Sequence, residues 1–526
     1  MHGPTVKAGG AERLRVVFPF CDRTSARPGQ MMKRNRIHEG KMATDKQPPG
    51  SGDISEDIKV LHSMGYAQEL LRSMGTFSNF AISFSIICIL SGGINSLAQA
   101  TSGSGGIGIG IGWPLGCAVS GVFAIAMAQI SSAYPTAGGL YHWGSLLGNR
   151  FTGWVTAWFN LLGLVTVLGA INAGTWTFFI GAFGTPLGIE NTLTNQTIFL
   201  GIITGGMALI NHYGIGLTAK LTDFSGYLIF ATAVVLAVIC LVFAPSWEFA
   251  RLFTFHNYSG DAGGGVWPQV SNSWVFLLGL LLPIYTITGY DASAHTSEET
   301  VRAAHSVPRG MVRSVIWSTV FGYIMLCSFV LMIPDMDEAA KQGWNVFFWA
   351  MDARVPGGLK EALYLAIFVS QLLCGLATVT SASRMIFAFS RDGGLPFSKV
   401  LAKVSPRYRT PVAAIWTGAT SAFLFVWGAS LVSIAGTSAY AIVVSCTVIF
   451  LFFSFVIPIT LGLFTYGTSK WPKMGPWNIG RGAYSLVAIL SIISMVLIFT
   501  IGVQPPNDWA LDITVGFLIV TAVVWV

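Results

Sequence analysis

Ile284-Tyr-Thr-Ile-Thr-Gly-Tyr-Asp-Ala-Ser-Ala-His-Thr-Ser-Glu-Glu-Thr300 closes an apolar segment that begins near residue 272 and is long enough to cross a bilayer. Inside it stand a glycine, Gly289, and a carboxylate, Asp291. A charge at bilayer depth is expensive, and a glycine weakens a helix where backbone groups must then find other partners. Both make sense if something polar binds in the gap. A second stretch of similar character, Ser91-Gly-Gly-Ile94, interrupts the first apolar segment of the chain.

The surroundings are those of a membrane protein. Hydrophobic residues make up 53% of the chain and charged residues 10%, against about a quarter charged in a soluble domain. No Asp, Glu, Lys or Arg lies between Arg72 and Arg150, or from Thr410 to Ser469. At roughly 20 residues per crossing, each of these stretches holds several spans. Their few alternating polar positions predict helices and not barrel strands. The fold class is therefore all-α, a polytopic membrane protein of about twelve transmembrane helices. The spans are expected near 77–100, 112–133, 153–183, 197–213, 222–244, 272–296, 311–334, 362–390, 411–428, 432–464, 482–503 and 510–526.

Loop charge sets the expected orientation. With the N-terminus cytoplasmic, the inner loops and span edges carry fourteen Lys and Arg and the outer loops four: Arg251, Lys341, Arg354 and Lys360. That asymmetry is the positive-inside pattern, and it accounts for the net charge of +7 without a nucleic-acid partner. Residues 1–52 read as a disordered cytoplasmic tail whose short apolar run, Val16–Phe20, is no signal-peptide core. Met31, Met32 and Met42 are alternative starts, and a last span running into Val526 suggests a truncated end. A membrane-proximal helix is expected within 53–76, about Ile54 to Arg72, leading into a transmembrane domain over 77–526.

Several chemistries have no support. The seven cysteines stand singly, most within apolar spans, and no metal-ligand spacing appears. Gly103-Ser-Gly-Gly-Ile-Gly108 matches a dinucleotide fingerprint in letters only, because a membrane helix and not a strand precedes it. No Ser/His/Asp set, HExxH or P-loop appears, so the chain is expected to be no enzyme, to bind no metal or cofactor, and to use no ATP. Asn195 and Asn257 head glycosylation sequons in outer loops.

The two interruptions fall in spans one and six, equivalent members of two halves of five spans each. Broken helices at matching positions of two halves point to a midplane substrate site in a secondary transporter. Half-helix N-termini and freed N–H groups suit a carboxylate, whereas half-helix C-termini and freed carbonyls suit an ammonium group. A zwitterion fits both.

Here the sequence resembles a known family. Ser78-Asn-Phe-Ala-Ile-Ser-Phe-Ser-Ile-Ile87 with Ser91–Ile94, Ser131-Ser-Ala-Tyr-Pro-Thr-Ala-Gly-Gly-Leu-Tyr141, Ile287–Thr300 and Ser383-Arg-Met-Ile-Phe-Ala-Phe-Ser-Arg-Asp-Gly-Gly-Leu-Pro396 resemble, in order, motifs of the amino acid–polyamine–organocation superfamily. The amino acid/choline transporter branch, with its γ-aminobutyrate permeases, is the most similar. The resemblance implies a five-plus-five inverted repeat with discontinuous helices 1 and 6: 77–244 and 272–464, followed by two extra helices in 482–526. It implies alternating access for an amino acid or amine such as γ-aminobutyrate, coupled to a cation gradient, H⁺ or Na⁺. The substrate carboxylate would meet backbone N–H groups at Ser91, Gly92, Gly93 and Ile94. The amine would meet carbonyls at Thr286, Ile287 and Thr288, with Gly289 and Tyr290 shaping the pocket. Tyr134, Gly138, Gly139 and Tyr141 would belong to a re-entrant inner gate.

Each assignment has a plainer rival. The glycine pair also suits close helix packing. Asp291 either binds substrate or coupling ion, or pairs structurally with a neighbour. His295 shares its helix face with Asp291, which allows a proton relay or a solvent-facing imidazole. Glu298 and Glu299 either pair with an inner arginine such as Arg384 or are solvated. Thr378, Thr380, Ser381 and Ser383 either ligate Na⁺ or bond their own helix backbone. Choline or polyamine is the alternative substrate, with Tyr285, Tyr290 and Tyr440 as cation–π candidates. A channel is the alternative mechanism, but it would show pore loops or charged rings.

Overall fold

A computed structural model of the chain describes residues 51–432, 439–505 and 507–525. The expected tail, apart from its last two positions, lies outside the described residues. The described chain is helical, with two isolated bridges and no strand among the described residues. Its principal helices are α1 (Ser51–Ser63), α2 (Thr76–Ile87), α3 (Gly92–Asn95), α4 (Gly112–Ala133), α5 (Leu140–Leu147), α6 (Arg150–Phe179), α7 (Leu193–His212), α8 (Ile215–Val242), α9 (Asn272–Gly279), α10 (Leu281–Thr286), α11 (Ala292–His295), α12 (Ala303–Met332), α13 (Gly357–Arg391), α14 (Val412–Val432), α15 (Ala439–Thr465), α16 (Arg481–Gly502) and α17 (Trp509–Trp525). Ten helical segments among the described residues are long and apolar enough to cross a membrane, and the shorter Asn272–Thr286 and Trp509–Thr521 accompany them.

The elements begin where backbone donors find partners. Asn149 and Thr152 form a reciprocal capping box at the start of α6, and Thr192 caps α7. Helix α12 starts at Ala303, earlier than the expected 311, because the Asp57 carboxylate accepts from the N–H groups of Arg302 and Ala303. An acidic side chain there satisfies orphan donors and complements the helix dipole.

The membrane-proximal helix is shorter than expected. It ends at Ser63, and residues 64–75 run beneath the bundle without a helical ladder. That segment is held by side-chain donors instead. Arg72 reaches the carbonyls of Ser297 and Thr300, and Gln68 that of Glu298. Met74 bridges to Thr300.

Burial separates scaffold from lipid-facing periphery. The most apolar windows of Thr76–Asn95, Arg150–Leu187 and Tyr440–Thr465 are each 83% buried, against 22% for Leu193–His212 and 33% for Val412–Leu431 and Arg481–Gly502. The broken first segment thus lies inside, with α2 packed on α12, α8 and α13, while α15 lies along α6. Gly103–Gly108 sits under the segment that follows α8, where Tyr258 N–H bonds Gly103 O at 2.9 Å and Trp267 Nε1 bonds Gln99 O at 2.9 Å.

Candidate functional site

Both expected breaks are present. Helix α2 stops at Ile87, and α3 resumes at Gly92 after a turn through Cys88–Ser91. Helix α10 stops at Thr286, and α11 resumes at Ala292 after Ile287–Asp291. The two face each other closely: a Cβ on Gly92 would lie 2.8 Å from Thr286 Oγ1 and 2.9 Å from its Cα. Gly289 has φ +89°, and a Cβ there would lie 2.2 Å from Ile86 Cγ2. Only glycine satisfies both demands, a left-handed backbone and contact with the opposite break.

The backbone donors are distributed differently from the expectation. Ser91 and Gly92 N–H both bond Cys88 O, and Gly93 N–H bonds Ile89 O. The N–H groups that make no backbone hydrogen bond are those of Ile89, Leu90 and Ile94 in the first break, and Thr288, Gly289, Tyr290 and Asp291 in the second. Of the carbonyls, Leu90 O accepts from Gln371 Nε2 at 3.3 Å, and Tyr290 O from Ser83 Oγ at 2.9 Å. The Thr286 and Thr288 hydroxyls each bond their own backbone at 2.7 Å.

Asp291 is the last residue of the second break and is fully buried. Its Oδ2 accepts from Asn160 Nδ2 at 3.2 Å and lies 3.3 Å from His295 Nε2; its Oδ1 has no hydrogen-bond partner. Asn160 in turn reaches Ser454 Oγ at 3.3 Å. His295 is buried, so the solvent-facing reading fails; its Nδ1 lies 3.3 Å from Ala137 O.

Towards the end of the bundle that carries the basic loops, three layers of contact close the structure. Glu299 holds Arg384 bidentately at 2.9 and 3.0 Å, and Glu298 holds Arg391 at the same distances. Both glutamates are fully buried, so the solvated alternative fails and the pairing with Arg384 stands. Burial favours pairing here because an unpaired ion in that setting is far more costly than at the surface. Glu298 also accepts from Ala137 N–H at 3.1 Å, which ties the Tyr134–Tyr141 segment to the end of span six. In that segment Tyr134 donates to Lys470 O, Gly138 lies against the His142 ring, Gly139 lies beside His295, and Tyr141 is buried against Phe389. His142 bridges Thr136 and Asp392, and Tyr66 from the chain preceding α2 also donates to Asp392 at 3.0 Å. Burial pushes the Asp392 carboxyl up, but the His142 hydrogen bond and the neighbouring Arg391 outweigh it and hold the group below its usual range.

The hydroxyls of span eight mostly follow the plainer reading. Thr378 and Ser383 bond the preceding turn, and Thr380 bonds Asn211 Oδ1 at 2.7 Å as well as Leu376 O. Ser381 Oγ is buried without a partner.

Sequence reasoning missed the residues that lock the two broken helices together. Asn79 Nδ2 donates to Ser293 O and Thr300 Oγ1, both at 3.0 Å, and Ser83 Oγ meets Ser293 Oγ at 2.7 Å. Asn160 and Gln371 were missed too. The signal in the sequence was weak: Asn160 shares its span with Asn172, Asn79 shares its span with Asn95 and Gln99, and Gln371 is the one amide of a span that also carries Arg384.

Comparison with known proteins agrees with this architecture. A family model described as "Amino acid permease" matches residues 74–526. The chain is 32% identical over 467 residues to amino-acid permease BAT1 of Arabidopsis thaliana, covering 85% of this chain and 88% of that protein. It is 30% identical to the BAT1 homolog of Oryza sativa subsp. japonica, over 88% of this chain and 91% of that protein. It is 29% identical to the GABA-specific permease of Saccharomyces cerevisiae, over 70% of this chain and 66% of that protein. These proteins are named as permeases, which are transporters and not enzymes. With its breaks in spans one and six and a family match over most of its length, this chain is a multi-pass membrane protein that belongs to the amino acid permease family.

Proposed function

We propose that this permease carries a small amino acid or related amine, γ-aminobutyrate foremost, by alternating access driven by a cation gradient of H⁺ or Na⁺. The observation that carries the reading is the contact of two unwound segments, Cys88–Ser91 and Ile287–Asp291, deep inside the bundle. The ligand carboxylate meets the N–H groups of Ile89, Leu90 and Ile94, which the helix ladder leaves open. The ammonium meets the carbonyl side of the second break around Thr286–Thr288, and Tyr285 and Tyr440, whose rings meet edge to face at 6.3 Å, wall the site. Gly289 supports this by letting the two breaks approach. γ-Aminobutyrate is favoured because one relative bears that specificity in its name.

The chain is read with its N-terminus and its basic loops on the cytoplasmic side, and with residues 77–244 and 272–464 as the two repeats. The paired Glu298 and Glu299 then hold the cytoplasmic side shut, and access opens there when those pairs separate. The test is a competition panel in proteoliposomes: amino acids, γ-aminobutyrate, polyamines and choline, with and without sodium, across pH. Saturable uptake that γ-aminobutyrate competes supports the reading. Competition by choline or polyamines alone moves the substrate to that class, and unsaturated conductance defeats a carrier.

A further inference from the structure

We infer that the groove between the first turn of α2 and α12 is a binding site for an anionic phospholipid of the leaflet that faces the basic loops. The inference goes beyond the transport reading: it depends on neither the substrate nor the coupling ion, only on a chain that spans a bilayer.

The groove has a volume of about 440 Å³ and is lined by Thr76, Phe77 and Phe80 of α2 and by Gly310, Arg313 and Trp317 of α12. Phe77 and Trp317 are 40% and 47% exposed, so its mouth opens on the outer face of the bundle, where acyl chains lie. The floor is closed. A Cβ on Gly310 would lie 2.5 Å from Asn79 Oδ1 and 3.0 Å from Ser293 Oγ, so the broken helices pack directly behind it. Helix α8 supplies a further side, with Tyr227 stacked on Phe77 at 4.9 Å and Phe230 against Phe321 of α12 at 4.2 Å. Phe321 stands about 12 Å further along α12 than Arg313, and its contact with Phe230 joins α12 to α8 deeper in the membrane. That depth takes a phosphate, a glycerol and the first carbons of an acyl chain, within a hydrocarbon half-thickness of about 15 Å.

Charge selects the head group. Arg313 is exposed and makes no ion pair or hydrogen bond with the described residues. Neither α2 nor α12 carries a carboxylate. Asp223, the acidic residue of α8, accepts from Ser78 Oγ at 3.0 Å and does not line the groove. Helix α2 begins at Thr76 without a side-chain cap, which adds partial positive charge at the same end. A phosphatidylcholine head group brings an ammonium for which the groove has no carboxylate; a net negative head group meets complementary charge alone. The planar guanidinium suits phosphate oxygens, and Trp317, one turn deeper, stands where indole rings border the head-group layer. Arg309, one turn nearer the basic loops, is exposed but does not line the groove. It therefore serves as the control for simple attraction between any surface arginine and an anionic membrane.

The test gives the purified, delipidated full chain equal amounts of dioleoylphosphatidylglycerol and dioleoylphosphatidylcholine in detergent and counts bound lipid by native mass spectrometry. The first lipid bound should be the anionic one, favoured about fivefold, the worth of one arginine beside an anionic head group. Arg313→Gln should abolish that preference, and Arg309→Gln should leave it unchanged. A phosphatidylglycerol bearing a diazirine in its acyl chain should label the wild-type peptides that hold Phe77–Phe80 and Trp317, which keeps the site testable if a variant folds poorly. Inorganic phosphate should not displace the lipid. No preference in the wild type, a preference that survives Arg313→Gln, equal loss in Arg309→Gln, or labelling confined to other peptides each overturns the site. Displacement by inorganic phosphate makes it a site for a free anion and overturns the lipid as its occupant.

Discussion

Arg384→Met should destabilise this protein in a way that depends on pH, whereas Glu299→Met should not. The guanidinium is fully buried, with two donors on Glu299 at 2.9 and 3.0 Å and a third on Ser383 Oγ at 3.0 Å. Removing one member of such a pair leaves an uncompensated ion and costs about 3–5 kcal/mol. The stranded glutamate has an escape that a stranded arginine lacks, since it can take up a proton. Protonating a glutamate of ordinary pKa near 4.3 costs about 3.7 kcal/mol at pH 7 and about 1 kcal/mol at pH 5, at 1.36 kcal/mol per unit. That figure caps the penalty of Arg384→Met, which therefore shrinks as the pH falls. Glu299→Met strands a cation that stays charged throughout, and its penalty stays near 3–5 kcal/mol at both values. The Met/Met double variant, with no buried charge left, returns to within about 1 kcal/mol of the wild type. Thermal unfolding of the detergent-purified variants, followed by tryptophan fluorescence at pH 5 and 7, measures all three. Equal loss for Arg384→Met at both pH values, or a double variant worse than either single one, would refute the reasoning.

Gly289→Ala forces a side chain into a left-handed backbone, at about 1–2 kcal/mol, and onto Ile86 Cγ2 at 2.2 Å, at about 1–3 kcal/mol. Uptake should be lost, and Ile86→Ala in the same chain should recover part of the stability; wild-type uptake in Gly289→Ala would remove the close approach from the mechanism. Arg72→Ala leaves the Ser297 and Thr300 carbonyls without their shared donor, so thermal stability should fall by about 2–4 kcal/mol. An unchanged melting temperature would show that the segment before α2 is dispensable. Asp392 is held below its usual range, so the stability it contributes is present above the unfolded value of about 3.9 and lost as pH falls through the lower folded value. The gap between wild type and Asp392→Asn in melting experiments should accordingly narrow below about pH 4; a gap that widens there reverses the sign.

Much of the site could be read before any coordinate. Gly289 and Asp291 inside an apolar segment, and Gly92–Gly93 in another, locate both breaks, because polar or flexible residues at bilayer depth require a reason that local sequence cannot provide. The motif around Glu298 and Glu299 announced buried or paired charge without choosing between pairing and solvation. The open backbone donors of the first break are Ile94, as expected, and Ile89 and Leu90, two residues before the expected Ser91 and Gly92, since hydrogen bonds at a helix restart depend on torsions that residue types do not dictate. Asn160, Asn79 and Gln371 gave only a faint signal, since other amides in the same spans, Asn172, Asn95 and Gln99 among them, looked no different in sequence.

What the sequence determined alone is periodicity and segregation: which stretches enter the membrane, where they break, and which end carries the positive charge. Those are one-dimensional properties, set by transfer free energy along the chain. Which partner each buried polar group meets is a matter of contacts across large separations, such as Asn160 with Asp291, 131 residues apart, or Arg384 with Glu299, 85 apart. Only packing brings such groups within hydrogen-bond range, and only there does it become decidable that His295 is enclosed against a carbonyl and not turned to water.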